Sequence, residues 1–216
     1  MIKSRLTNLY NELQRKSDKG TDHDYINGYY DLAMSEHQNS QINLLEIGVL
    51  NGDSINIWQK FFTHPDSWIL GVDIKLSDSA LKTIDAVWSN EMQTFLPGFR
   101  TEIDEREHHK AILYEANAYT KEFANQFLDN TFDFVIDDGP HTLESQLKCI
   151  DLYLPKIKLN KGRLIIEDIQ SKSDLQAIED KLNEPNDKYK IVYNVYDLTQ
   201  NKGRYDDIII EIKKHF

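Results

Sequence analysis

What most constrains the fold is a series of short apolar runs that each end in glycine or in carboxylates. Residues 42–49 run Ile-Asn-Leu-Leu-Glu-Ile-Gly-Val, residues 68–74 Trp-Ile-Leu-Gly-Val-Asp-Ile, and residues 111–115 Ala-Ile-Leu-Tyr-Glu. Phe134-Val135-Ile136 stops at Asp137-Asp138-Gly139-Pro140-His141, and Leu164-Ile165-Ile166 stops at Glu167-Asp168. Runs of this length read as buried strands of a parallel sheet. Stretches with helical spacing lie between them, such as residues 55–62, 121–128 and 175–182, and 142–154 with Leu143, Leu147, Ile150 and Leu154 in phase. Strands alternating with helices predict an α/β fold with a doubly wound, mostly parallel sheet. The last two apolar runs, around Ile191 and Ile209, flank Asn201-Lys202-Gly203 and predict a C-terminal antiparallel hairpin, for seven strands in all.

Two further regions complete the outline. Residues 1–40 predict N-terminal helices covering a core at 41–216, with everything in one compact unit. Leu6, Leu9, Tyr10 and Leu13 mark one face of the first helix. A polar segment, Ser17-Asp18-Lys19-Gly20-Thr21-Asp22-His23-Asp24-Tyr25, leads to a second helix carrying Tyr25, Tyr29, Tyr30 and Leu32. In residues 75–110, Leu81, Ile84, Val87 and Trp88 have helical spacing. The acidic stretch beyond them reads as part of an acceptor pocket, as a contact between copies in a homo-oligomer, or as surface padding.

The strand ends carry the chemistry. Ligands of open α/β sheets bind at the carboxyl ends of strands. Asp137-Asp138 and Glu167-Asp168 end two consecutive strands of the series, and strands that pair in a sheet lie ~4.8 Å apart. Within each pair one side chain faces the cleft and the other turns away. Converging carboxylates repel and take up protons unless a cation relieves them, and oxygen ligands favour Mg²⁺ over Zn²⁺. His141 lies three residues past Asp138, where it could serve as a general base near neutral pH. The plainer alternative is a turn with solvated acids and a helix-capping histidine.

The first loop reads Glu46-x-Gly48-x-x-x-Gly52-x-Ser54. Its glycines let backbone approach a ligand, and the following helix offers free N–H groups. Asp73 ends the next strand, where a carboxylate suits a free ribose diol. The spacing is not Gly-x-Gly-x-x-Gly, which disfavours a nicotinamide cofactor, and no Walker lysine follows. Composition narrows the partners. A formal charge of −11 argues against nucleic acid or an anionic membrane as the main partner. The single cysteine, Cys149, excludes an intramolecular disulfide and lies in an apolar helical pattern. The absence of a long apolar span or a signal-peptide core predicts a cytoplasmic protein.

The glycine spacing resembles the S-adenosylmethionine loop of class I methyltransferases. Val135-Ile136-Asp137-Asp138-Gly139-Pro140-His141, taken with Ile166-Glu167-Asp168, resembles the metal-dependent sugar O-methyltransferases of macrolide biosynthesis, the mycinamicin and macrocin type. It is also similar to the cephalosporin hydroxylase and rhamnosyl O-methyltransferase group. The resemblance implies a Rossmann-like fold and S-adenosylmethionine held by Glu46, Gly48, Asn51, Gly52, Ser54, Asp73, Asn117 and Asp137. It implies Mg²⁺ on Asp138, Glu167 and Asp168, with Asp138 and His141 catalytic. Residues 17–25 resemble an N-terminal motif of the same group, which implies that His23, Tyr25 or Tyr29 approaches the cofactor or acceptor. Asn117-Ala118 departs from the family's acid-containing turn. The implied acceptor is a hydroxyl of a sugar or glycoside. The alternatives are a catechol-type acceptor and a nucleoside-binding protein without turnover.

Overall fold

The computed structural model describes residues 5–83, 86–88 and 111–216. Its strands are β1 (Asn43–Ile47), β2 (Trp68–Asp73), β3 (Ala86–Trp88), β4 (Ala111–Glu115), β5 (Phe134–Asp137), β6 (Arg163–Ile166), β7 (Lys190–Asp197) and β8 (Ile208–His215). They form one sheet in the order β3-β4-β2-β1-β5-β6-β8-β7. All neighbours run parallel except β8, which is antiparallel to β6 and to β7. The doubly wound sheet and the terminal hairpin are those expected from the sequence, with one short edge strand added.

That added strand corrects the reading of Val87 and Trp88 as helical. The helix α5 (Asp78–Thr83) stops short of them, and β3 pairs with β4. A β-branched and an aromatic residue beside a free sheet edge favour pairing over another helical turn. Ile84 and the acidic stretch of residues 89–110 lie outside the described residues.

The register sets the site. Ile47 pairs with Asp137, and Asp137 pairs with Ile166, so β1, β5 and β6 end level. Gly48, Asp138 and Glu167 therefore follow one another along a single rim. β1 sits at the switch point, with β2 on one side and β5 on the other. Successive residues of β1 serve opposite faces, Leu44 in one core and Leu45 in the other.

On the first face pack α1 (Arg5–Glu12), α2 (Asp18–Thr21), α3 (Asp31–Met34) and α4 (Asp53–Phe61), with Trp58, Phe61 and Phe62 fully buried. On the second lie α6 (Lys121–Ala124), α7 (Leu143–Tyr153) and α8 (Lys172–Leu182), around Phe123, Tyr153 and the buried thiol Cys149. Thr142 caps α7 by accepting from the Ser145 N–H, and Ser171 caps α8 in the same way. α9 (Thr199–Lys202) spans the hairpin and closes on Gly203, whose φ of +77° glycine adopts without strain. Among the described residues no helix is long and apolar enough to cross a membrane.

Between α2 and α3 the backbone makes a π turn, Ile26–Tyr30. The wider winding shifts the helical phase. Tyr25, Tyr29 and Tyr30 all point inward, and Leu32 is 80% exposed. The C-terminal hairpin supports this segment. Lys202 Nζ donates to the Thr21 carbonyl at 2.8 Å, and Asn201 Nδ2 donates to Asp24 Oδ2 at 2.7 Å.

Candidate active site

The rim begins at the glycine loop. Gly48 has φ +92°, and a Cβ there would sit 1.9 Å from the Asp138 carbonyl oxygen. Glycine is thus required for the loops after β1 and β5 to close on each other. Gly52 takes a left-handed φ of +79° as it opens α4. Asp73 Oδ2 accepts from the N–H groups of Val49 (2.8 Å) and Leu50 (3.1 Å), which ties the loop to the end of β2. Asn51 is exposed, and Ser54 is buried. Exposed Leu50 and Ile74 flank Asp73. Asn117 stands exposed beyond β4, its Oδ1 accepting from the Tyr119 N–H at 3.0 Å.

Glu46 is fully buried. Its Oε2 accepts from the Trp58 indole at 2.7 Å, and burial raises the carboxyl from its ordinary 4.5 to about 7, against the pull of Lys19. The folded chain therefore holds a proton on Glu46 that the unfolded chain has released between about pH 4.5 and 7. Stability falls as pH rises through that window, by at most about 1.4 kcal/mol per pH unit from this group. Glu46→Gln is expected to flatten the slope of unfolding free energy against pH by one proton. An unchanged slope in denaturation series would clear Glu46 of that role.

Each acid pair splits between two environments, and Asp138 and Glu167 share the Lys19 side. Asp137 is 2% exposed and accepts from the Tyr119 hydroxyl through Oδ1, while its Oδ2 has no hydrogen-bond partner among the described residues. Burial raises its carboxyl to about 6. Glu167 turns inward too, accepting from Tyr30 through Oε1 and pairing with Lys19 through Oε2. Asp138 and the buried Asp168 both approach His141. Asp138 Oδ1 lies 4.0 Å and Asp168 Oδ2 3.5 Å from His141 Nε2. Asp168 Oδ1 accepts from the Tyr25 hydroxyl and lies 3.4 Å from His23 Nδ1. Burial and the Asp138 charge raise the Asp168 carboxyl.

Backbone strain marks the same rim. Among the described residues five other than glycine have positive φ. Asn130 and Asn160, a residue type that tolerates this region, precede β5 and β6. Leu50 (+47°), His141 (+55°) and Asp168 (+52°) lie where β1, β5 and β6 end. A left-handed leucine, histidine and aspartate persist only where the surroundings hold them, which is common at functional sites. His141 precedes the Thr142 cap of α7 and is 31% exposed, so it is not the capping residue.

The N-terminal segment reaches this rim, though not with every residue expected. His23 stacks on Tyr25 with ring centroids 4.7 Å apart, and both meet Asp168; His23 Nδ1 also pairs with Asp207 at 2.5 Å. Tyr29 points elsewhere, donating to Glu211 of β8 at 2.8 Å beside Arg163. Lys19, Tyr30 and Tyr119 belong to the rim without having been singled out. The sequence signal for Lys19 was the surplus of buried acids at the strand ends, which requires a cation from somewhere.

The fold is that of the Rossmann-like methyltransferases. The chain is similar to MycE, a methyltransferase of the mycinamycin biosynthetic pathway solved with Mg, SAH and mycinamycin VI (TM-score 0.61, 19% identity, 98% of this chain and 54% of that chain). It is also similar to an S-adenosylmethionine-dependent O-methyltransferase from Thermotoga maritima (0.54, 11% identity, 99% and 72%). A third match is the pre-rRNA processing protein fibrillarin of Methanococcus jannaschii (0.53, 12% identity, 83% and 70%). The chain spans about half the length of MycE. No protein-family model matches the sequence, and no curated protein matches it.

Proposed function

We propose that the chain is an S-adenosylmethionine-dependent, Mg²⁺-dependent O-methyltransferase acting on a hydroxyl of a sugar or glycoside, with His141 as general base. The observation that carries this reading is the convergence of Asp138, His141 and Asp168, whose ligating atoms lie within 4.8 Å of one another beside the glycine loop. The donor set fits a hard divalent cation, because two carboxylates meet at one point of the rim beside His141. Asp138 and Asp168 would hold it, and when bound it would orient and acidify the acceptor hydroxyl. MycE, solved with Mg and SAH, supports the pairing of metal with methyl donor on this fold.

The remaining work falls to the chain itself. Gly48, Gly52 and the start of α4 present backbone to the donor. Asp73 offers a partly exposed carboxylate between the apolar side chains of Leu50 and Ile74, suited to a nucleoside. His141 Nε2 takes the proton of the acceptor hydroxyl; the freed oxygen attacks the donor methyl in line, and the sulfonium leaves as a neutral thioether. His23 and Tyr25 hold Asp168 from behind. A small-molecule acceptor suits a site this acidic better than RNA does, notwithstanding the likeness to fibrillarin. Calorimetry with S-adenosylmethionine, with and without Mg²⁺, followed by methyl-transfer assays on glycosides and catechols, tests the reading. Binding with transfer to glycosides is expected. Transfer to catechols alone would move the acceptor class, and absence of binding under both conditions would refute the proposal.

A further inference from the structure

A second group of ligating atoms lies on the far side of Asp168 from His141. His23, Asp206 and Asp207 each bring one such atom to within 4.8 Å of the others, and all three residues are buried. His23 follows α2 on the N-terminal segment, whereas Asp206 and Asp207 lead into β8 on the C-terminal hairpin. His23 Nδ1 lies 2.5 Å from Asp207 Oδ1 and 3.4 Å from Asp168 Oδ1. Three buried carboxylates therefore crowd one imidazole, an arrangement that favours a bound cation. Arg204 offsets part of the charge: it is 40% exposed, and its Nε and Nη2 each lie 3.2 Å from Asp206.

One atom of the group points to a ligand. Asp207 is fully buried, and its Oδ2 has no hydrogen-bond partner among the described residues. A proton shared between His23 Nδ1 and Asp207 Oδ1 leaves that second oxygen unsatisfied, which is costly in the interior. An imidazole nitrogen among carboxylate oxygens suits Zn²⁺, which takes such donors at about 2.0–2.2 Å in tetrahedral geometry. Two ligands of such an ion stand about 3.3 Å apart, close to the 3.4 Å between His23 Nδ1 and Asp168 Oδ1. The bonds from Arg204 and Tyr25 leave lone pairs free on Asp206 and Asp168, because each carboxylate oxygen carries more than one. We propose that His23, Asp206 and Asp207 form a second cation site, for Zn²⁺, with Asp168 Oδ1 as the fourth donor. The ion takes the place of the His23 Nδ1 proton, which passes to solvent, and Asp207 ligates through Oδ2. It clamps the N-terminal segment to the C-terminal hairpin, and Asp168 spans both centres with its two oxygens. The site does not depend on the methyl-transfer reading.

The test is calorimetric titration with Zn²⁺ of the full chain, freed of metal by a chelator and then held in excess Mg²⁺. Wild type is expected to bind one Zn²⁺ per chain and to gain in Tm when it does. His23→Ala and Asp207→Asn are each expected to weaken Zn²⁺ binding by about tenfold or more, whereas His141→Ala leaves it near wild type. Should His23→Ala not fold, Asp207→Asn, which keeps the volume, decides alone. Absence of Zn²⁺ binding by wild type overturns the proposal. So does binding that survives Asp207→Asn but is lost in His141→Ala, which would put the ion in the site beside His141.

Discussion

His141→Ala is expected to lower turnover by about 10²–10⁴ while leaving the fold and donor affinity intact. The imidazole is partly exposed and lies outside the hydrophobic core, so its removal opens no buried cavity. Its Nε2 stands 3.5 Å from Asp168 and 4.0 Å from Asp138, beside the point where an acceptor hydroxyl would meet both carboxylates. A base acts on the bound acceptor, so the loss should appear in kcat with little change in KM or in the Mg²⁺ requirement. If the Mg²⁺ requirement rises with the loss of rate, His141 is a ligand as well. Full activity in the variant would remove it from the mechanism.

Asp168→Asn should raise the Mg²⁺ concentration for half-maximal rate by about tenfold or more. The substitution keeps the volume, and the amide oxygen can still accept from Tyr25, so the N-terminal segment stays docked. What is lost is the charge of the outer oxygen facing His141. Rate measured against Mg²⁺ concentration checks it, and an unchanged requirement would count against Asp168 as a ligand.

The strands and their order of chemistry were legible because each apolar run ends abruptly in a residue that cannot be buried cheaply. Phe134-Val135-Ile136 before Asp137-Asp138, and Leu164-Ile165-Ile166 before Glu167-Asp168, mark both the sheet and the rim. Val87 and Trp88 were misread because three residues carry too little period to separate strand from helix. Lys19 was harder still. It sits in a four-residue helix among polar neighbours, and its partners Asp138 and Glu167 are 119 and 148 positions away. Nothing local distinguishes a buried ammonium from a solvated one; the three strand ends that neutralise it come together only in the folded sheet.

Those separations have a consequence for synthesis. His23 pairs with Asp207 across 184 positions, and Tyr29 bonds Glu211 across 182. A ribosome adding about 5–20 residues per second needs roughly 10–40 s to supply those partners after the N-terminal segment is made. Through most of that interval Tyr25 and Tyr30 are without the acids they will later bind, and Lys19 has only Glu46. The segment made first is therefore among the last to be fully held, and a nascent chain halted before β8 would carry the glycine loop and both acid pairs but lack the Asp207 and Glu211 that hold His23 and Tyr29.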